Sequence, residues 1–257
     1  MEQLHQPTPS VSLHIAPGMA ETEAAARLRE QFHSAAAQDA PVLRLDNEGL
    51  TLCADGQELR GDFSHLLPRL KGLSGEFLVK AAKIKNADGP LTAIDATAGL
   101  GEDSFFLAAA GFHVTLYERN PVIYALLRDA LERAARDPRL ADIAARMTAV
   151  HGDSIAEMPK ADPAPDVVLL DPMFPARQKS ALVKKKLQMI QKLEFPCLDE
   201  AEIMRSAMEA RPRKLIIKRP PKGPHLAGIK PDHAIEGKAV RFDCIVSPYD
   251  RIHKFFD

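Results

Sequence analysis

Tryptophan is absent from the 257-residue chain, and phenylalanine and tyrosine together supply only 5% of it. Cysteine occurs three times, at Cys53, Cys197 and Cys244, an odd number with wide gaps between them. That excludes a disulfide framework and a CxxC zinc or redox pair, and makes a reducing cytoplasm the expected compartment. Neither sign of charge prevails, with 34 basic against 35 acidic side chains and a net charge of −1, so a histone-like polycation is excluded. No apolar run approaches the roughly 20 residues of a membrane span, and Met1-Glu2-Gln3 opens no basic and apolar leader. P-loop and GxSxG elbow are both missing, and His113, His151, His225, His233 and His253 share no ligand spacing, so no metal is expected. What remains is 46% hydrophobic and 27% charged, the profile of a globular protein with length enough for one large α/β domain and a smaller appendage.

Residues 21–38 are rich in helix formers and predict a helix. From Val42 the period changes to two: Val42–Leu45, Leu50–Ala54 and the turns Asp46–Gly49 and Asp55-Gly56 predict two or three short antiparallel strands. A second helix is predicted over 74–82, ahead of the turn cluster Asp88-Gly89-Pro90. This divides the chain into a small N-terminal α+β unit, 1–74, and a larger domain, 75–257. In the larger part, strand-like runs at 91–95, 113–118, 147–151, 166–171 and 214–218 alternate with helical stretches near 103–110, 121–135, 154–158 and 199–210. Such alternation predicts a mostly parallel sheet with crossover helices. The last runs, 241–246 and 251–256, are expected to form an antiparallel pair at the sheet edge.

The chemistry concentrates at strand ends. Asp95-Ala96-Thr97-Ala98-Gly99-Leu100-Gly101-Glu102-Asp103 reads as a strand ending in an acid, a glycine turn and a helix start, which lets backbone approach a nucleotide closely. A dinucleotide fingerprint would require glycine at Ser104, and a pyrophosphate would be repelled by Glu102 and Asp103, so a cationic or uncharged ligand tail fits better. Glu118 ends the next strand, where an acid accepts hydrogen bonds from ribose hydroxyls. Asp153 follows the third, and two readings stand equal there: Asp153 and Ser154 bond an adenine, or Asp153 caps a helix. The fourth strand delivers Asp171-Pro172-Met173-Phe174-Pro175. Asp171 and the Pro172 carbonyl can accept both N–H groups of an exocyclic amine and expose its lone pair, while Phe174 offers a stacking face for a flipped base.

These residues resemble the class I S-adenosylmethionine-dependent methyltransferases, and Asp171-Pro172-Met173-Phe174 is similar to their amine-methylating [DNS]-P-P-[YFW] motif with Met173 at the second proline. Together with Glu118-Arg119-Asn120-Pro121, Lys179–Lys185 and Ile217-Lys218-Arg219-Pro220, they resemble the RsmJ family of bacterial 16S ribosomal RNA (guanine-N2)-methyltransferases from about Leu91 to Val246. The resemblance implies a Rossmann-like sheet. It also implies a cofactor pocket lined by Glu102, Asp103, Glu118, Arg119, Asp153, Ser154 and Asp171, beside Asp95, Gly99 and Gly101 of the glycine turn, with S-adenosylhomocysteine as product. It implies methyl transfer to guanine N2 in the small ribosomal subunit, with Asp171, Pro172 and Phe174 as catalytic residues. Transfer to another planar amine (adenine N6 or a protein glutamine) and a non-catalytic role in ribosome assembly are the alternatives.

Two acid-free basic stretches agree with an RNA partner. Arg177, Lys179, Lys184, Lys185 and Lys186 follow the Asp-Pro-x-Phe loop; Arg211, Arg213, Lys214, Lys218, Arg219 and Lys222 surround the fifth strand. Both are expected to flank the same edge and contact phosphates, Lys218 and Arg219 among them.

Overall fold

The computed structural model describes residues 11–32, 40–85, 87, 89–172 and 200–256. Near the amino end, β1 (Ser12–Ile15), β2 (Val42–Asp46), β3 (Gly49–Ala54) and β4 (Gln57–Leu59) form a sheet in that order, with α1 (Glu23–Gln31) between the first two strands. β1 runs parallel to β2, and the remaining neighbours are antiparallel. The helix expected over 21–38 begins where the Thr22 hydroxyl accepts the Ala25 N–H at 3.2 Å, and it closes at Gln31 as Phe32 turns extended. Residues 33–39 lie outside the described residues. The helix expected over 74–82 is shorter than its signal: a 3₁₀ stretch, Ser64–Gly75, contains Pro68 and breaks at Gly72, and α2 spans only Phe77–Ala82. Proline in the stretch removes a backbone donor, and glycine there weakens helix, so the segment stays in the tighter form.

The larger sheet takes β5 (Thr92–Asp95), β6 (His113–Glu118), β7 (Met147–His151), β8 (Val167–Leu170), β9 (Lys214–Arg219), β10 (His233–Glu236) and β11 (Arg241–Val246) in the order β10-β11-β9-β8-β5-β6-β7. β5 to β9 are parallel. Helices α3 (Glu102–Ala109), α4 (Pro121–Ala134), α5 (Ala141–Ala144), α6 (Ser154–Glu157) and α7 (Glu200–Glu209) connect or follow these strands. β8 shows why the apolar runs are continuous: Val167 and Leu169 join Phe105 and Leu107 of α3 on one face, while Val168 and Leu170 join Ile203, Met204 and Ala207 of α7 on the other. Among the described residues, no helix is long and apolar enough to cross a membrane.

The C-terminal expectation needs correction. β11 is the antiparallel strand, but it lies between β9 and β10 rather than pairing with 251–256. Residues Ile252–Phe256 form a helix, α8, because Ile252, Phe255 and Phe256 recur at helical spacing and pack on the α7 side of the sheet. The edge strand β10 is only four residues long, between Pro231-Asp232 and Gly237-Lys238, too short for its alternation to stand out.

Candidate active site

The chain builds outward from β5 to β6 and β7, then returns to lay β8 and β9 on the other side. The crevice between the carboxyl ends of β5 and β8 is therefore the switch point, where open α/β sheets bind ligands. Three backbone ties shape it. Ala98 N–H donates to the Tyr117 carbonyl at 3.1 Å, Ala96 N–H to the Leu169 carbonyl at 3.0 Å, and Asp171 N–H to the Thr97 hydroxyl at 2.7 Å. The glycine turn after β5 is thus sewn to both neighbouring strands.

Gly99 and Gly101 serve different ends. Gly99, at φ +54°, turns its N–H onto Glu118 Oε2 at 3.0 Å, and among the described residues a Cβ there would meet nothing within 4 Å, which leaves the turn open above it on that side. Gly101, at φ +79°, starts α3 in a left-handed conformation, and a Cβ there would lie 2.8 Å from Leu127 Cδ1 and 3.2 Å from Leu116 Cδ2. Gly101→Ala is expected to destabilise the fold by about 1–3 kcal/mol through backbone strain and overpacking, seen as a lower urea midpoint at unchanged slope. An unchanged midpoint would mean that α3 shifts to accommodate the methyl group.

The acids occupy distinct environments. Glu118 is 5% exposed; its second oxygen, Oε1, accepts the Asn120 N–H at 2.7 Å, just ahead of α4, whose first turn Asn120 caps through Val122 and Ile123. Asp95 is buried at 2% exposure, accepting the Ser104 hydroxyl at 2.6 Å and the Thr97 N–H at 3.1 Å. Burial, helped by the negative charge of Asp103, pushes its carboxyl up to about 7 against those two hydrogen bonds. Asp103 lies in the first turn of α3, where the helix dipole favours a carboxylate. Its Oδ2 is 2.5 Å from Lys218 Nζ, and the same ammonium is 2.9 Å from Asp171 Oδ2. Burial works against the Lys218 charge, yet the two carboxylates hold the ammonium well above its usual range. Burial raises the Asp171 carboxyl, with Lys218 pulling the other way.

The other expected site residues spread along the same edge. Glu102 is 3.5 Å from His65 Nε2, both side chains about half exposed. Arg119 is exposed, and its carbonyl lies 3.2 Å from His151 Nε2; His151 is itself exposed and stacks on Tyr124 with ring centroids 5.0 Å apart. Asp153 is exposed and caps α6 by accepting the Ile155 N–H at 3.0 Å, with Ser154 buried beside it. Pro172 is buried; Phe174, Arg177, Lys179, Lys184, Lys185 and Lys186 lie outside the described residues.

The second basic stretch does not flank one edge. Arg211 and Arg213 precede β9 and Lys218 and Arg219 end it, and a six-residue strand at about 3.3 Å per residue carries the two groups to opposite sides of the sheet. Arg213 pairs with Asp166 at 3.2 Å, and Lys214 turns inward to the Ala81 and Lys83 carbonyls at 2.8 and 2.6 Å. Arg219, 1% exposed, donates Nε to the Pro224 carbonyl at 2.7 Å. Thr97 and Ser104 are the site residues that sequence reasoning missed, and Lys218, expected to contact phosphate, instead pairs with Asp103 and Asp171. For Lys218 a signal existed, an ammonium that directly follows the apolar run Leu215-Ile216-Ile217 near the carboxyl end of β9.

A sheet of this order, with an open glycine turn after its first parallel strand and acceptors at successive strand ends, defines a class I S-adenosylmethionine-dependent methyltransferase. The donor set suits that cofactor: carboxylates at this edge would favour a cationic, hydroxyl-bearing ligand, and those at the start of α3 would repel a phosphate. Residues 31–247 match a family model described as putative SAM-dependent methyltransferase. The chain is 43% identical over 217 residues to ribosomal RNA small subunit methyltransferase J of Thioalkalivibrio sulfidiphilus, covering 80% of this chain and 84% of that protein. It is 41% identical over 241 residues to the protein of the same name from Chromobacterium violaceum, covering 88% and 93%. A crystal structure of a SAM-dependent methyltransferase from Neisseria gonorrhoeae superposes with a TM-score of 0.73 at 30% identity, over 92% of this chain and 96% of that one. The chain belongs to the ribosomal RNA small subunit methyltransferase J family (RsmJ), and its cofactor is S-adenosylmethionine.

Proposed function

We propose that the protein transfers a methyl group from S-adenosylmethionine to the exocyclic N2 of a guanine in 16S ribosomal RNA of the small subunit, in the cytoplasm. The observation that carries this reading is the placement of Asp171 at the carboxyl end of β8, its backbone fixed to Thr97 of the glycine turn, beside the crevice. On this reading Glu118 receives the ribose hydroxyls, Asp153 and Ser154 the adenine, and Asp103 with Glu102 the cationic end of the cofactor, beside Asp95, Gly99, Gly101 and Arg119. The bound cofactor supplies a methyl group already activated on a sulfonium. What the chain must add is alignment and electrostatics. Asp171 and the Pro172 carbonyl accept the two amine N–H groups, which directs the nitrogen lone pair at the methyl carbon as the N–C bond forms and the C–S bond breaks. Asp171 also stabilises the positive charge that develops on the nitrogen until the proton leaves. Phe174 stacks on the base.

Incubating the protein with labelled S-adenosylmethionine and small subunits that lack the modification, then mapping the labelled nucleoside, tests the proposal. N2-methylguanosine at a single 16S position is the expected product. Label in adenosine, in protein or nowhere would replace the reading with one of its alternatives.

The lysines after the Asp-Pro-x-Phe loop are proposed as phosphate contacts. Neutralising Lys184, Lys185 and Lys186 together is expected to weaken RNA binding and shrink its log–log salt slope by about 2–3 units, at roughly 0.7–0.9 per contact. Cofactor affinity is expected to stay at the wild-type value. An unaltered slope would make these residues a solvated face. The path would then pass over Lys222, exposed beyond the carboxyl end of β9, rather than over Arg211 and Arg213 on the far side.

A further inference from the structure

Lys218 invites a role other than the phosphate contact expected from its sequence. Its ammonium is only partly exposed, at 28% of the side chain, and it bridges two carboxylates from different elements, Asp103 of α3 and Asp171 beyond β8. Removing a charge from water in this way is costly unless it is compensated, and here two opposite charges compensate it at hydrogen-bond distance. The balance of the crevice also depends on it. Among the described residues, Asp171 is faced by Asp103 from α3, by Asp95 from β5 and by Lys218 and Arg219 from β9. Of the two cations, Lys218 touches Asp171 directly, whereas Arg219 is turned to the Pro224 carbonyl.

We infer that Lys218 is a positioning residue of the methyl-transfer site, holding Asp171 as the acceptor that receives the N–H groups of the target amine. An ionised carboxylate is an acceptor only, whereas a protonated one gives up acceptor capacity to an O–H donor. Without Lys218, Asp103 and Asp95 face Asp171 with no adjacent ammonium, so the Asp171 carboxyl keeps its proton to higher pH. The amine then loses its acceptor as the pH falls through that higher value. The ammonium also fixes one oxygen, Oδ2, which leaves Oδ1 to point elsewhere. The inference rests on the reading of Asp171 given above, and the measurements separate the two.

Wild type, Lys218→Met and Lys218→Arg are compared for methyl transfer from saturating S-adenosylmethionine to small subunits lacking the modification, as a function of pH, and for RNA binding as a function of salt. Lys218→Met is expected to lower kcat and to move the acid limb of the profile upward by about 1–3 pH units, the usual effect of losing an adjacent opposite charge. Its KM for RNA and its salt slope are expected to match wild type. Lys218→Arg, which keeps the charge, is expected to return the limb most of the way. If Lys218→Met does not fold, as judged by its melting curve, Lys218→Gln carries the same expectation with a neutral polar side chain. An unmoved acid limb overturns the inference, as does a salt slope reduced by one phosphate contact, roughly 0.7–0.9. A wild-type protein that transfers no methyl group overturns the underlying functional reading instead.

Discussion

Asp171→Ala is expected to reduce methyl transfer by at least about a hundredfold, the scale on which a single group aimed at developing charge contributes to catalysis. The protein is expected to stay folded. The core contacts of β8 come from Val167, Val168, Leu169 and Leu170, all buried, and the tie to Thr97 uses the backbone N–H of residue 171, which alanine retains. Lys218 would keep Asp103 as a partner, so the substitution strands no unpaired ammonium. Single-turnover transfer with preformed protein–cofactor complex, next to a thermal melt, measures both halves. Near-normal turnover by a folded variant would remove Asp171 from the chemistry.

Glu118→Ala is expected to weaken S-adenosylhomocysteine binding by about ten- to a hundredfold, since a hydrogen bond to a charged acceptor contributes roughly 1.5–3 kcal/mol. The structure adds a second reason for a large effect. The Glu118 carboxylate also receives the N–H groups of Gly99 and Asn120, so its removal slackens the glycine turn and the entry to α4 together. Calorimetric titration reads the affinity. An affinity equal to wild type would place the ribose elsewhere and leave Glu118 as a brace of the turn alone.

The centre of the parallel sheet was legible because burial on both faces demands an uninterrupted apolar run, as in β8, while β6 and β7, only partly buried, were legible from their strand-like stretches between helical ones. The acids were legible for a related reason: a carboxylate that ends an apolar strand must sit at its rim. The C-terminal pairing was misread because Phe255 and Phe256 have strand-like composition, while their helical spacing with Ile252 only becomes decisive once α7 offers a surface to pack on. The Lys218 bridge was hidden by distance along the chain, since 115 residues separate it from Asp103. Thr97 was hidden by its small size, and its hydroxyl gains meaning only when β8 is laid beside β5.

α4 has a consequence for cooperativity. Val122, Ala125 and Leu126 pack into the core of the N-terminal sheet with Leu43, Leu45 and Leu52, whereas Leu127, Ala130 and Ala134 pack into the core of the larger sheet. Arg27 of α1 reaches across to Glu132 of the same helix at 2.6 Å. One helix is therefore a party wall, and the small sheet cannot melt or be deleted without baring apolar surface on the element whose first residue follows the Glu118–Asn120 bond. Whatever tightens the cofactor edge of α4 is therefore expected to steady the N-terminal strands as well, and the two sheets are expected to melt in a single transition.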